Sequence, residues 1–255
     1  MIDLHSHILP NLDDGARDLS EAVEMAKLAA ADGITDIVAT PHTENGQYVN
    51  RGDDILKAVE LFQTALVQQG LAMKVHAGAE VHLHLSLLDN LKTGKVMTFG
   101  NLSRYVLIEL PALQIPAFTD HLLQEVTAAG ITPVIAHPER NIVLRKNPER
   151  LALWIRQGVI AQLTAGSLLG RLGKLAQKCA EYFVQNHLVH VLATDSHNAD
   201  TRPPVISEAY RALQKLTSIE TAALFQANAA AILQGGLCMV QEPLAGARRR
   251  RFYWF

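Results

Sequence analysis

His5 and His7 form an H-x-H pair, and behind them along the chain come Asp14, His42, Glu80, Glu109, His137, Asp195 and His197. Imidazole and carboxylate donors without thiolate suit Mn, Fe or Zn better than Ca or Mg, and nine such donors exceed what one ion can use. At least two ions are implied. Cations a few ångströms apart clamp the attacking and leaving oxygens of an in-line displacement and lower the pKa of the water between them, which is hydrolysis, most often at phosphorus. Phosphate calls for further positive charge. Arg140 follows His137 by three residues and Arg202 follows Asp195 by seven, so both guanidinium groups are candidates to fork onto phosphoryl oxygens beside the ligands.

Taken singly, a His or Glu is more often a cap or a surface group than a ligand, and H-x-H alone matches by chance. Their joint placement carries the reading. Short β-branched runs at Ile2–Leu4, Thr35–Ala39, Lys74–Ala79, Tyr105–Leu110, Thr132–Ala136, Val159–Leu163 and Val189–Thr194 predict seven strands, separated by amphipathic helices. One helix is predicted from Leu19 to Asp32, with Asp18 and Glu21 as a capping box and Gly33 as the left-handed stop. A second carries Ile55, Val59, Phe62 and Leu66 on one face and stops at Gly70. A third has Asn147 as N-cap, Pro148 at its first position and Gly158 past its end. Alternating strands and helices in one undivided chain of 255 residues predict a closed or nearly closed barrel of parallel βαβ units over residues 1–240, with an open doubly wound sheet as the alternative. His5 and His7 then leave the first strand, His42 the second, Glu80 the third, Glu109 the fourth, His137 the fifth, and Asp195 and His197 the seventh. All are C-terminal ends, which share one face of a parallel barrel, the face on which active sites are built. Asp14, in the loop after the first strand, joins them.

The remaining histidines lack this placement. His76 lies inside a strand, His121 on a helix, and His187 and His190 flank the seventh strand, so these are read as structural or exposed. His82 and His84 form a rival H-x-H in a leucine-rich segment, where packing or surface hydrogen bonding is the better reading. Cys179 and Cys238 make neither a disulfide framework nor a thiolate zinc site. No arginine stands six residues after Cys179, no G-x-S-x-G occurs, and the Gly166–Lys174 stretch lacks a P-loop's first glycine and closing Ser/Thr. Lys+Arg of 23 against Asp+Glu of 25 gives a net charge of −2, which leaves no field to draw nucleic acid. No apolar run approaches ~18 residues, and Met-Ile-Asp-Leu-His-Ser-His has no signal-peptide character. A cytoplasmic protein is expected.

His5-x-His7, Asp13-Asp14-Gly15, Thr40-Pro41-His42, Gly78-Ala79-Glu80, Ile108-Glu109, Ala136-His137-Pro138-Glu139-Arg140 and Thr194-Asp195-Ser196-His197-Asn198 with Thr201-Arg202-Pro203 resemble the PHP (polymerase and histidinol phosphatase) superfamily from Met1 to about Gln234. Within it they resemble the bacterial capsule and exopolysaccharide tyrosine phosphatases of the CpsB/YwqE group. The resemblance implies a distorted (β/α)7 barrel and a trinuclear Mn-type centre, with Fe, Zn, Co or Mg as alternatives. It also implies action on the tyrosine-rich tail of a membrane-associated tyrosine autokinase. By the same resemblance His5, His7, Glu80 and Asp195 would hold one metal, Glu80, Glu109 and His137 a second, and Asp14, His42 and His197 a third, with Arg140 and Arg202 holding phosphate. Rival functions are a histidinol-phosphate or other small-molecule phosphoesterase, and a non-enzymatic metal-dependent binder of phosphorylated partners. A homo-oligomer is left open.

Two features depart from the family pattern. Thr43 stands where relatives often carry His or Arg, which bears on substrate contacts from Thr43 to Tyr48. The tail of residues 241–255 ends in Arg248 to Arg251 and Phe252, Tyr253, Trp254 and Phe255. The four arginines against a whole-chain charge of −2 leave −6 for the rest, so the tail is expected to dock the protein peripherally on an anionic membrane at its inner face or on its substrate kinase.

Overall fold

The computed structural model describes residues 1–244; the basic-aromatic tail, Arg248 to Phe255, lies outside the described residues. Strands β1 (Ile2–Ser6), β2 (Asp36–Ala39), β3 (His42–Thr43), β4 (Lys74–Ala77), β5 (Glu80–His82), β6 (Tyr105–Glu109), β7 (Thr132–Ala136), β8 (Ile160–Thr164) and β9 (Val191–Ala193) are all paired in parallel. The helices are α1 (Leu19–Ala31), α2 (Gly52–Gln68), α3 (Leu87–Lys92), α4 (Thr119–Ala128), α5 (Ile142–Lys146), α6 (Pro148–Arg156), α7 (Ala165–Leu168), α8 (Lys174–Gln185), α9 (Ser207–Leu216) and α10 (Ile219–Leu233).

Two of the expected strands are each broken in two. The stave read as Thr35–Ala39 continues past Pro41 as β3, because proline cannot donate to the ladder. The stave read as Lys74–Ala79 stops at Ala77 and resumes as β5; the break is at Gly78, where a Cβ would lie 2.8 Å from Val38 Cγ1. His42 and Glu80 therefore open short strand segments, and these two residues pair directly in register. Pairing runs β1-β2-β4 and β3-β5-β6-β7-β8-β9. The two sheets are joined at β1 and β9, where the Ser6–Ser196 bridge, the Asp195 N–H to His5 O bond (2.8 Å) and the His7 N–H to Ser196 O bond (2.8 Å) close the barrel. Below that seam, buried Asp3 accepts from the Thr194 N–H and hydroxyl.

Leu4, Val38, Leu107, Val134, Ile160 and Val191 fill the barrel, while a larger apolar layer packs strands against helices. The register of β1 slips between Asp3 and Ser6, so Leu4 joins the interior cluster and the next residue, His5, reaches Gln162 across the barrel. Helix signals read from sequence hold in part. The Asp18 side chain accepts from the Glu21 N–H, but the Glu21 carboxylate turns to Arg17 instead of completing a capping box. Asn147 makes no side-chain cap bond; Asn141 caps α5, accepting from the Val143 and Leu144 N–H groups.

Residues after α10 cross the N-terminal ends of the strands. The Tyr105 hydroxyl, at the start of β6, donates to Gly236 O, Asn228 ties His190 O to Met239 O, and the Leu244 N–H reaches Asn186 O. His190, buried beneath this strap, accepts from the Ala161 N–H through Nδ1. Burial, with His187 adding to it, pushes its pKa down to about 4. The unfolded chain, with a pKa near ~6.5, takes up this proton first, so the stability that neutral His190 secures is complete above that pH and is lost as pH falls toward 4. The full span corresponds to roughly 3 kcal/mol. In urea unfolding from pH 7 to 4.5, His190→Leu is expected to be less stable at pH 7, having lost the acceptor for Ala161, yet to fall less steeply than the parent. Parallel curves would show that His190 does not carry this acid sensitivity.

Candidate metal centre

Alternation along the strands delivers most of the site. Glu80 and His82 share one face of β5, and pairing across to β6 sets His82 beside Glu109. The last two strand ends need something more: His137 and Asp195 adopt positive φ (32° and 54°), which re-aims each side chain where the strand gives out. Such backbone costs about 1–3 kcal/mol per residue and clusters at functional sites.

At the centre, His5 Nε2 and His7 Nε2 lie 3.2 Å apart. Each is 3.4 Å from Glu80 Oε2 and 3.5 Å from Asp195 Oδ1. Both rings are fixed from behind: His5 Nδ1 donates to Gln162 Oε1 (2.9 Å) and His7 Nδ1 to Asp13 Oδ2 (2.6 Å), which turns each Nε2 inward as a ligand atom. His42 Nδ1 faces Glu80 Oε2 at 2.9 Å and Glu109 Oε2 at 3.7 Å. Neither His42 Nδ1 nor Glu80 Oε2 meets the geometry of a hydrogen bond to any partner, although both are buried. His137 Nε2 lies 2.8 Å from Glu80 Oε1. Asp14 Oδ1 stands 3.6 Å from His42 Nε2 and 3.5 Å from His197 Nε2. Three groups of donors thus come within coordinating reach of one another: His5, His7 and Glu80; His42, Glu80 and Glu109; and His7, Asp14, His42 and His197. Two buried donor atoms that face each other without hydrogen-bond geometry, among converging imidazole nitrogens, fit divalent cations.

Electrostatics point the same way. Burial works against ionised Glu80 and Asp195, yet His5 and the other imidazoles, with Arg202 at Asp195, hold both carboxyls well below the usual range. Burial likewise opposes charge on His5 and His7, and their carboxylate neighbours overcome it and raise both pKa values. A cation entering here competes with protons. Arg140 and Arg202 close the site on one side, donating to Asp195 Oδ2 at 2.5 and 2.7 Å; Arg202 also reaches Asp195 O at 3.0 Å.

The structure brings all nine candidate ligands and both arginines together. His76, His121 and His187 pair with Asp36, Glu125 and Glu242 O, away from the centre. His82 and His84, read from the sequence as packing or surface hydrogen-bonding residues, both hydrogen-bond while part-buried: His82 Nδ1 stands 3.4 Å from Glu109 Oε2, a consequence of the His82–Glu109 register, and His84 bonds to His82 O and Asn90. Thr43 is buried, and its hydroxyl donates to Asn50 O, so it holds the following loop from inside. Sequence reasoning passed over Asp13 and Gln162. Asp13 was signalled by its place in Asp-Asp-Gly: Oδ2 also accepts from the His42 N–H and Oδ1 from the Gly15 N–H, and a Cβ at Gly15 would lie 2.0 Å from His7 O. Gln162, inside a strand, carried no signal.

The family model described as capsular polysaccharide synthesis, CpsB/CapC, matches residues 1–234. The chain belongs to the CpsB/CapC family. It is 34% identical to the tyrosine-protein phosphatase YwqE of Bacillus subtilis over the full length of both, and 32% identical to the tyrosine-protein phosphatase CpsB of Streptococcus agalactiae over 92% of this chain and 98% of that one. It superposes with a TM-score of 0.93, at 34% identity and over 95% of this chain and 98% of the other, on a solved structure from a study of B. subtilis YwqE and Streptococcus pneumoniae CpsB, described as metal-dependent tyrosine phosphatases. For this member of the CpsB/CapC family, Asp13→Asn removes the anionic partner of His7 while keeping its size. Its affinity for a divalent metal is expected to fall about 10–100-fold, with full stoichiometry regained at saturating metal. Equilibrium dialysis with metal analysis measures this, and parental affinity in the variant would remove Asp13 from the centre.

Proposed function

We propose that this chain is a metal-dependent protein-tyrosine phosphatase acting on phosphotyrosine of a membrane-associated bacterial tyrosine autokinase that controls capsule or exopolysaccharide synthesis. One observation carries the reading: Asp195 faces His5 and His7 through Oδ1 and two arginines through Oδ2, so a cation site and a phosphate grip share one side chain. His5, His7, Asp14, His42, Glu80, Glu109, His137, Asp195 and His197 would hold two or three ions of the Mn type. When bound, such ions supply positive charge against phosphoryl oxygens and lower the pKa of the attacking water. Arg140 and Arg202 would grip the non-bridging oxygens and orient phosphorus for in-line attack. Water adds to phosphorus as the bond to the phenolic oxygen breaks. A tyrosine phenol, with a pKa near ~10, leaves far more readily than a serine alkoxide, so the site can serve it without a dedicated acid. The kinship to YwqE and CpsB, named tyrosine-protein phosphatases, supports this substrate class over histidinol phosphate.

A panel of phosphotyrosine peptide, phosphoserine peptide and histidinol phosphate, each with added Mn, tests the assignment; the phosphotyrosine peptide should be turned over fastest. Burial pushes the Cys179 thiol up and the Cys238 thiol up to about 12, so neither is a nucleophile at neutral pH. Strong chelation should therefore abolish turnover and Mn restore it, while iodoacetamide leaves it intact. The opposite pair of sensitivities would reject metal catalysis. Arg202→Ala should lower turnover roughly 10²- to 10³-fold at unchanged metal content. Arg202→Lys should recover little, since an ammonium cannot fork onto two oxygens; near-parental rates in the lysine variant would rule out a two-pronged grip.

A further inference from the structure

We propose that the N-terminal face of the barrel is a lipid-docking surface, by which the protein lies on an anionic bilayer with its catalytic mouth turned away. The strap beyond α10 is anchored by backbone and buried side-chain bonds to Tyr105, Asn228 and Asn186, yet it turns its large apolar side chains outward. Leu237 and Met239 are 82% and 69% exposed, and Leu102, Val240 and Leu244 on the same face are also exposed. A strap that served only to cover the barrel end would turn such residues inward, as its Cys238 does against the interior cluster.

Charge says what covers them. The chain carries −2, of which Arg248 to Arg251 contribute four positive charges, so everything else sums to −6 and is repelled by an anionic surface. The compensating charge follows this face directly in the chain, residues 248–251 coming four to seven positions after Leu244, a reach of at most about 25 Å. Basic residues attract anionic headgroups, and apolar and aromatic groups enter the interface beside them. A second copy is the poorer occupant, because it carries the same net negative charge outside the tail and the same run of four arginines, so it offers no opposite charge to this chain. The active-site residues sit at the opposite, C-terminal ends of the strands. A surface-bound enzyme would thus offer its mouth to a phosphorylated segment reaching in from the aqueous side. The inference goes beyond the phosphatase reading, and its test reads binding instead of turnover, so either can fail without the other.

Sedimentation with vesicles containing phosphatidylserine, against phosphatidylcholine alone, should pull down the full chain only in the anionic case. Raising salt should lower the bound fraction several-fold. Leu237→Glu/Met239→Glu alters only exposed side chains, and truncation after Ala247 removes the arginines; each should weaken binding about tenfold or more and leave turnover of a soluble phosphotyrosine peptide unchanged. In a Cys238→Ser background, an environment-sensitive fluorophore on Leu237→Cys should shift to the blue with anionic vesicles, while one on Leu113→Cys, exposed on the loop after β6, should not. Absence of binding by the full chain would overturn the proposal. Undiminished binding by the glutamate variant would overturn the role of this face, leaving the tail alone. A dimer that the glutamate variant abolishes, without vesicle binding, would make the face an interface between copies; binding only to a phosphorylated kinase would make it a protein-docking surface.

Discussion

Glu80 and Asp195 are ionised carboxylates with almost no exposed surface, at the end of a barrel otherwise filled with aliphatic side chains. An unpaired buried charge costs several kcal/mol even after relaxation, and most of what surrounds these two groups answers that cost. Glu80 gathers His5, His7, His42 and His137; Asp195 gathers His5, His7, His197 and both arginines. The imidazoles gather around the carboxylates because divalent cations, like protons, need both. A barrel end that can hold this much opposed charge is already arranged to hold metal.

That arrangement depends on how the barrel closes. The seam between β1 and β9 is made by the main chain of His5, His7, Asp195 and Ser196, residues that are themselves ligands or their neighbours. Barrel closure and the site therefore rest on the same residues. Asp3 and Thr194 lock the seam one layer below, and the register slip in β1 lets His5 join Leu4 on the interior side. The positive φ values at His137 and Asp195 are sustained because the buried charge network over-determines where those side chains must go.

How much of this was legible in the sequence follows from which interactions are local. Strand periodicity and glycine stops placed the staves, and with them the shared face on which His5, Glu109 and His137 emerge. The breaks at Pro41 and Gly78 are not legible in the sequence, since a stave kinked against its neighbour still reads as one apolar run; Gly78 is explained by Val38 and Thr40, about forty residues earlier. The hydrogen-bond partner of His82, Glu109, is likewise invisible in its Leu-rich surroundings, because it arrives through β-pairing. Gln162 is hidden for the same reason, while Asp13, six residues from His7, is signalled locally by Asp-Asp-Gly. They touch ligands from behind, and nothing in the residues adjacent to Gln162 reveals what lies across the barrel.

Asp195 gives the site a coupling that a list of ligands does not convey. Its Oδ1 belongs to the cation cluster and its Oδ2 to Arg140 and Arg202. A guanidinium bonded to this carboxylate is oriented by it, and a carboxylate oriented by two guanidinium groups presents its other oxygen to His5 and His7 in a fixed direction. Phosphate arriving at the arginines competes with Asp195 for their N–H donors and shifts the charge that Asp195 directs at the cations; cations withdrawing charge from Asp195 leave the arginines more available to phosphate. Metal and phosphate should therefore favour one another's binding, by the reciprocity that any linkage between two sites on one group requires.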